Sequence, residues 1–142
     1  MIWLHEDALR ADHPVFAEAP RGCPAWFIWD EDYLRTANYS FKRLTFIYET
    51  LVELPVEIVR GPYLETLATL ASHGGNTIWV PDTANIKLIT VMEDLAKRYQ
   101  VNVVEDTPFV HLSKEPDLKR FFRYWKSARK SALTPSGALD TE

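Results

Sequence analysis

The chain is poor in the groups on which most directed chemistry rests. It has one cysteine, Cys23, so it can form no internal disulfide, and no run of Cys and His has metal-ligand spacing. Cys23 precedes an apolar run and reads as a small apolar residue. The lack of paired thiols fits a reducing compartment. No apolar run approaches the ~18 residues of a membrane span. The start, MIWLHEDALR, is too acidic and too briefly apolar for a signal peptide. These features predict a cytoplasmic protein with no membrane contact. Phosphate-binding signatures are also missing: the sequence contains no G-x-G-x-x-G, no Walker A pattern, no H-x-G-H and no S-G-G-x-D-S. No Ser or Cys stands in a nucleophile elbow.

What is present suits one domain. The length is 142 residues, with 46% hydrophobic and 25% charged residues, enough for a core and for solubility. Aromatics reach 13%, with five Trp; such rings fill cores and can wall a pocket at a strand end. The net charge of −4 is unevenly spread. Residues 1–113 carry 9 Lys/Arg against 16 Asp/Glu, or −7, while residues 114–130 carry 7 against 2, or +5. The body therefore repels nucleic acid, and only the late basic segment attracts it.

Short apolar runs at 1–4, 25–29, 56–59, 77–80 and 101–104 are bounded by Pro, Gly or acids and read as buried strands. Helical patterns lie between them. One covers 14–19. A second follows Ser40 as N-cap, with Phe41, Leu44, Ile47, Tyr48, Leu51 and Val52 as its apolar stripe. A third starts near Pro62, carries Leu64, Leu67, Ala68 and Ala71, and stops at Gly74 and Gly75. A fourth carries Ile86, Ile89, Val91, Met92, Leu95 and Tyr99. The alternation β-α-β-α-β-α-β-α-β predicts a three-layer, Rossmann-like α/β fold: a five-stranded parallel sheet flanked by helices, spanning 1–133 and followed by a polar tail at 134–142.

In such a sheet ligands bind outside the carboxyl ends of the strands, near the point where strand order reverses. Those ends are followed by His5, Glu6 and Asp7; by Asp30, Glu31 and Asp32; by Arg60; by Asp82; and by Glu105 and Asp106. This acidic rim disfavours a triphosphate, which would depend on helix N-termini and Arg60. The candidate binding residues are His5, Asp7, Asp12, Trp29, Arg43 and Asp82, with no catalytic set and no metal site. Asp7 and Asp12 form a conceivable carboxylate pair, but capping and loop closure are the simpler roles for such residues. His5, His13, His73 and His111 are scattered and read as surface or capping residues.

Several stretches resemble the DNA photolyase and cryptochrome family. IWLHEDALRADHPVF is similar to the family's opening, where a strand ending in W-F runs into R-R-D-L-R-x-x-D-N-P-A-L; Trp3, Asp7, Asp12 and Pro14 match. AWFIWDEDYL resembles V-F-V-x-D-P. SFKRLTFIYETLVEL resembles S-x-x-R-x-x-F-L-x-E-S-L-x-D-L, with Ser40, Arg43, Phe46, Glu49, Leu51 and Leu54 in register. VEIVRGPYLETLATLA and FFRYWKSAR are similar to two further family segments, so the likeness runs from Ile2 to about Arg129. Where the family has two arginines after the first strand, this chain has His5 and Glu6, and His13 stands in place of an Asn.

The resemblance implies an N-terminal α/β domain that in several members holds an antenna chromophore, a folate or a deazaflavin. It places FAD, the electron-transfer tryptophans and the DNA surface on a helical domain that follows. FAD is therefore not expected on this chain, and Trp3, Trp26, Trp79 and Trp125 are expected in the core. A separate FAD-binding helical protein or a second copy is the expected partner. Residues 116–130, PDLKRFFRYWKSARK, predict a basic amphipathic helix whose Lys119, Arg120, Arg123 and Lys126 could meet nucleic acid or dock on the acidic body. The leading reading is a non-catalytic chromophore- or nucleotide-binding or interaction module. The alternatives are a nucleotide-binding hydrolase or nucleotidyltransferase, and a structural homodimer.

Overall fold

The computed structural model describes residues 1–108 together with 125, 128, 129 and 132. The chain divides into two units, Met1–Asp106 and Thr107–Glu142. The first contains β1 (Ile2–Leu4), α1 (Val15–Glu18), β2 (Ala25–Trp29), α2 (Glu31–Thr36), α3 (Phe41–Glu53), β3 (Glu57–Arg60), α4 (Tyr63–His73), β4 (Thr77–Pro81), α5 (Ile86–Ala96) and β5 (Gln100–Val104). All five strands pair in parallel, in the order β3-β2-β1-β4-β5. The fold is thus the expected three-layer α/β sheet. The order reverses between β1 and β4, so the first half grows one way from β1 and the second half the other way.

Side chains on successive strand residues alternate between the faces, and helices cover both faces of the central strands β1, β2 and β4. The edge strand β3, expected to be buried, is mostly exposed, with Ile58 at 37%. Trp3, Ile28, Ile78 and Val80 pack with Leu67 and Ala71 of α4 and Leu88, Met92 and Leu95 of α5. On the other face Ile2, Leu4 and Ala25 meet Val15 of α1, and Phe27 meets Ile47 and Leu51 of α3. Trp3, Leu4 and Phe27 are fully buried. Side chains of this kind contribute about 1.5–3 kcal/mol each on leaving water. Of the tryptophans expected in the core, Trp3 is there and Trp26 and Trp79 are half-buried against it.

The helices start and stop where local chemistry demands. Ser40 Oγ accepts a hydrogen bond from the Arg43 N–H at 3.3 Å, which caps α3 as expected. The α4 helix ends at Gly74, and the chain then turns through Gly75 (φ 93°) and Asn76 (φ 63°), left-handed conformations that suit glycine and asparagine. Several expectations need correction. On α4 the apolar stripe holds at Leu67 and Ala71, but Leu64 is exposed. A helix was not foreseen at α2, which begins directly after β2 and is only six residues long. On α3 the buried stripe is narrower than its apolar pattern: Ile47 and Leu51 are buried, but Phe41, Tyr48 and Val52 are exposed. On α5 Ile86 is exposed and Leu88 takes its place in the core.

In the second unit Trp125, Ala128, Arg129 and Ala132 are helical; Ala128 is buried, whereas Trp125, expected in the core, is 37% exposed. Lys119, Arg120, Arg123, Lys126 and the tail 134–142 lie outside the described residues. Among the described residues no helix is long and apolar enough to cross a membrane.

Candidate functional site

The rim at the carboxyl ends of β1, β2 and β4 is organised around a carboxylate. Glu6, two residues past β1, is only 7% exposed. Tyr33 on α2 and Tyr39 on the following loop donate their hydroxyls to Glu6 Oε1, the latter at 3.1 Å, and Tyr63 at the start of α4 donates to Oε2 at 3.4 Å. Asn85, which caps α5, donates from Nδ2 to the Tyr33 hydroxyl at 2.8 Å. Burial raises the pKa of all three phenols, and the Glu6 charge raises it further. They therefore remain protonated donors across the physiological range.

One residue places two of these tyrosines. Asp30, at the end of β2, accepts from the Tyr33 N–H with Oδ1 and from the Tyr63 N–H with Oδ2, both at 2.9 Å. It caps α2 and, across 33 residues, the start of α4, where Pro62 offers no side-chain acceptor. The rings then meet edge to face, Tyr33 with Tyr63 at 5.0 Å and Tyr33 with Tyr39 at 6.5 Å between centroids.

The loop after β1 is tied down by two buried histidines. His5 is fully buried; its Nε2–H donates to the Pro81 carbonyl at 2.9 Å, and its Nδ1 accepts from the Asp7 N–H at 3.3 Å. His13 is 2% exposed, and its Nδ1 accepts from the Val15 N–H at 3.1 Å, capping α1. Desolvation lowers the pKa of both rings, against the pull of the neighbouring carboxylates. The expectation of ordinary surface positions thus fails for these two, although His13 does cap a helix.

The six candidate residues fall in different places. His5 is in the core. Asp7 Oδ2 accepts from the Thr83 hydroxyl at 2.7 Å, and Asp82 Oδ1 accepts from the Thr83 N–H at 2.8 Å, so Thr83 brings these two together over the β1–β4 switch point. Asp12 is exposed and paired with Arg10 at 3.1 Å, away from Asp7. Trp29 is half-buried, edge-on to Tyr48, and Arg43 stacks over the Tyr39 ring at 4.4 Å.

Two clefts adjoin Trp29. One, about 180 Å³, lies between the ends of β2 and β3, where Arg60 is paired with Glu31 at 2.7 Å. The other, about 420 Å³, is walled by Trp29, Leu34, Tyr39 and Leu44, with Arg35 and Glu31 at its edge. Trp29 lines this cleft directly, and Arg43 adjoins it through Tyr39. Its size and its mixture of apolar walls with a few polar groups fit a small-molecule site.

Sequence reasoning listed Glu6 and Asp30 only as rim acids and passed over Tyr33, Tyr39, Tyr63 and Asn85. The available signal was an aromatic residue soon after each of two strand ends, beside acids already placed on the rim. Among the described residues no group of three or more His, Cys, Asp or Glu could hold a metal ion. Cys23 sits at the other end of the sheet, with Met1 and Gly74. No protein-family model, curated protein or solved structure matches the chain.

Proposed function

We propose that this chain is a binding module of the photolyase and cryptochrome type. It takes a flat aromatic or nucleotide-like ligand in the Trp29–Tyr39 cleft and acts with a separate helical FAD-binding protein. The carrying observation is the cleft of about 420 Å³ at the carboxyl rim, with Trp29 and Tyr39 as walls and Arg43 stacked on Tyr39. Its aromatic surface suits a ring system such as the pterin of a folate or the tricycle of a deazaflavin. Arg43, and Arg35 on leaving its pairing with Asp32 at 3.0 Å, suit the glutamate carboxylates of a folate. When bound, such a chromophore would supply light absorption and energy transfer. The chain's own part is to hold the ring, exclude water from one of its faces and fix its tail.

The reading also draws on the sequence resemblance, on the parallel sheet, an architecture that resemblance implies, and on Glu6, whose carboxylate accepts the Tyr39 hydroxyl. The decisive experiment is an absorption spectrum of the purified protein, followed by titration with a reduced folate and with a deazaflavin while Trp fluorescence is read. We expect a near-ultraviolet or visible band, or saturable quenching, with affinity about tenfold weaker in Trp29→Ala, the scale of one lost aromatic contact. Colourless protein that quenches with neither compound would refute the reading. So would binding that Trp29→Ala leaves intact.

A further inference from the structure

We propose that the loop from His5 to Val15 is a pH-sensitive latch, closed by two neutral histidines and opened when they take up protons. The geometry is the same at both ends. His5 Nδ1 accepts the N–H of Asp7, and His13 Nδ1 accepts the N–H of Val15, each two residues further along. A proton on Nδ1 turns the acceptor into a donor and sets it against another donor. At His5 the ring has no alternative, because Nε2–H is already committed to the Pro81 carbonyl and the side chain is fully buried. At His13 the same proton removes the cap on α1, whose first residue, Val15, is itself buried.

The surrounding charges are divided. Glu6 and Asp7 on the loop and Asp82 after β4 favour a charged His5, while the Trp3 ring lies edge-on to it at 6.1 Å between centroids. Asp12 on the loop and Asp106 after β5 favour a charged His13, and Arg10 and His5 oppose it. Desolvation outweighs the acids at both sites, so the closed loop binds protons less readily than the open one. The sign follows from linkage: closure is fully stable above the ordinary histidine pKa of about 6.5 and weakens as pH falls below it, by up to tenfold in the opening equilibrium per pH unit for each ring.

The loop carries Glu6, and Glu6 accepts the Tyr39 hydroxyl, so opening frees one wall of the Trp29–Tyr39 cleft. That consequence rests on the binding reading above; the latch does not.

The test is amide hydrogen exchange of the intact chain at pH 7.5 and 5.5, corrected for intrinsic rates and repeated in low urea. We expect the Val15 N–H to exchange through an opening smaller than whole-domain unfolding, with a urea slope well below that of Ile28 in β2. Its protection should fall roughly ten- to a hundredfold between the two pH values. In His13→Asn, where the amide oxygen replaces Nδ1 as the cap and cannot titrate, that fall should shrink by about tenfold. Val15 protection that is equal at both pH values would overturn the latch. So would exchange of Val15 with the same rate and urea slope as Ile28 in β2, because only whole-domain unfolding would then sense the protons. An unchanged fall in His13→Asn would overturn the role of that ring. A failed ligand titration would leave all three results standing.

Discussion

Glu6 shows how much one side chain can organise. Its carboxylate accepts hydroxyls from three tyrosines whose positions in the chain are 27, 33 and 57 residues away. It thereby joins β1 to α2, to the loop before α3 and to α4. Replacing it with alanine leaves three phenols short of an acceptor in a place where water is scarce. We expect Glu6→Ala to destabilise the chain by about 2–4 kcal/mol in urea unfolding. Glu6→Gln, which keeps one acceptor oxygen, should cost less. A loss under ~0.5 kcal/mol for the alanine variant would mean that the tyrosines find other partners at no cost. Glu6 was visible in the sequence only as one acid of many on the rim. Its partners could not be read, because nothing in the local sequence around a tyrosine shows where its hydroxyl ends.

Between elements, Asp30 is the residue to test. Its two oxygens cap α2 and meet the first N–H of α4. Ser40 caps only α3. Ser40→Ala should therefore cost about 1 kcal/mol and Asp30→Ala, which loses two such bonds, about 2–3 kcal/mol, with the loss of helical circular dichroism appearing at lower urea in the latter. Equal effects of the two would show that the reach of Asp30 to α4 contributes nothing. The Ser40 cap was legible because capping is local, a matter of three residues. The Asp30 link to α4 was not, since it depends on β2 and β3 lying side by side. The α3 stripe was over-read for a related reason: periodicity shows which residues share a face, but the width of sheet beneath sets how many are covered, and Phe41 and Val52 fall beyond it.

At the scale of the whole molecule, two buried neutral histidines make stability depend on pH. Both have lowered pKa values in the folded state, so the unfolded chain binds more protons below about pH 6.5. The unfolding free energy from urea melts should hold above that pH and fall below it, by up to about 1.4 kcal/mol per pH unit for each ring, with the midpoint falling in step. A midpoint that stays flat from pH 7.5 to 5.5 would contradict the burial of both. By itself the sequence determined the sheet: short β-branched and aromatic runs separated by amphipathic stretches can bury their apolar groups on two faces only if the strands run parallel and the helices cross over. It also fixed which end of the strands is acidic. Tertiary structure alone decided that the strands lie in the order β3-β2-β1-β4-β5, that Glu6 and three distant tyrosines meet, and that His5 is sealed inside while Trp29 borders a cleft. Those are relations between residues far apart in the chain, set by which strands become neighbours, and no local pattern of residues encodes them.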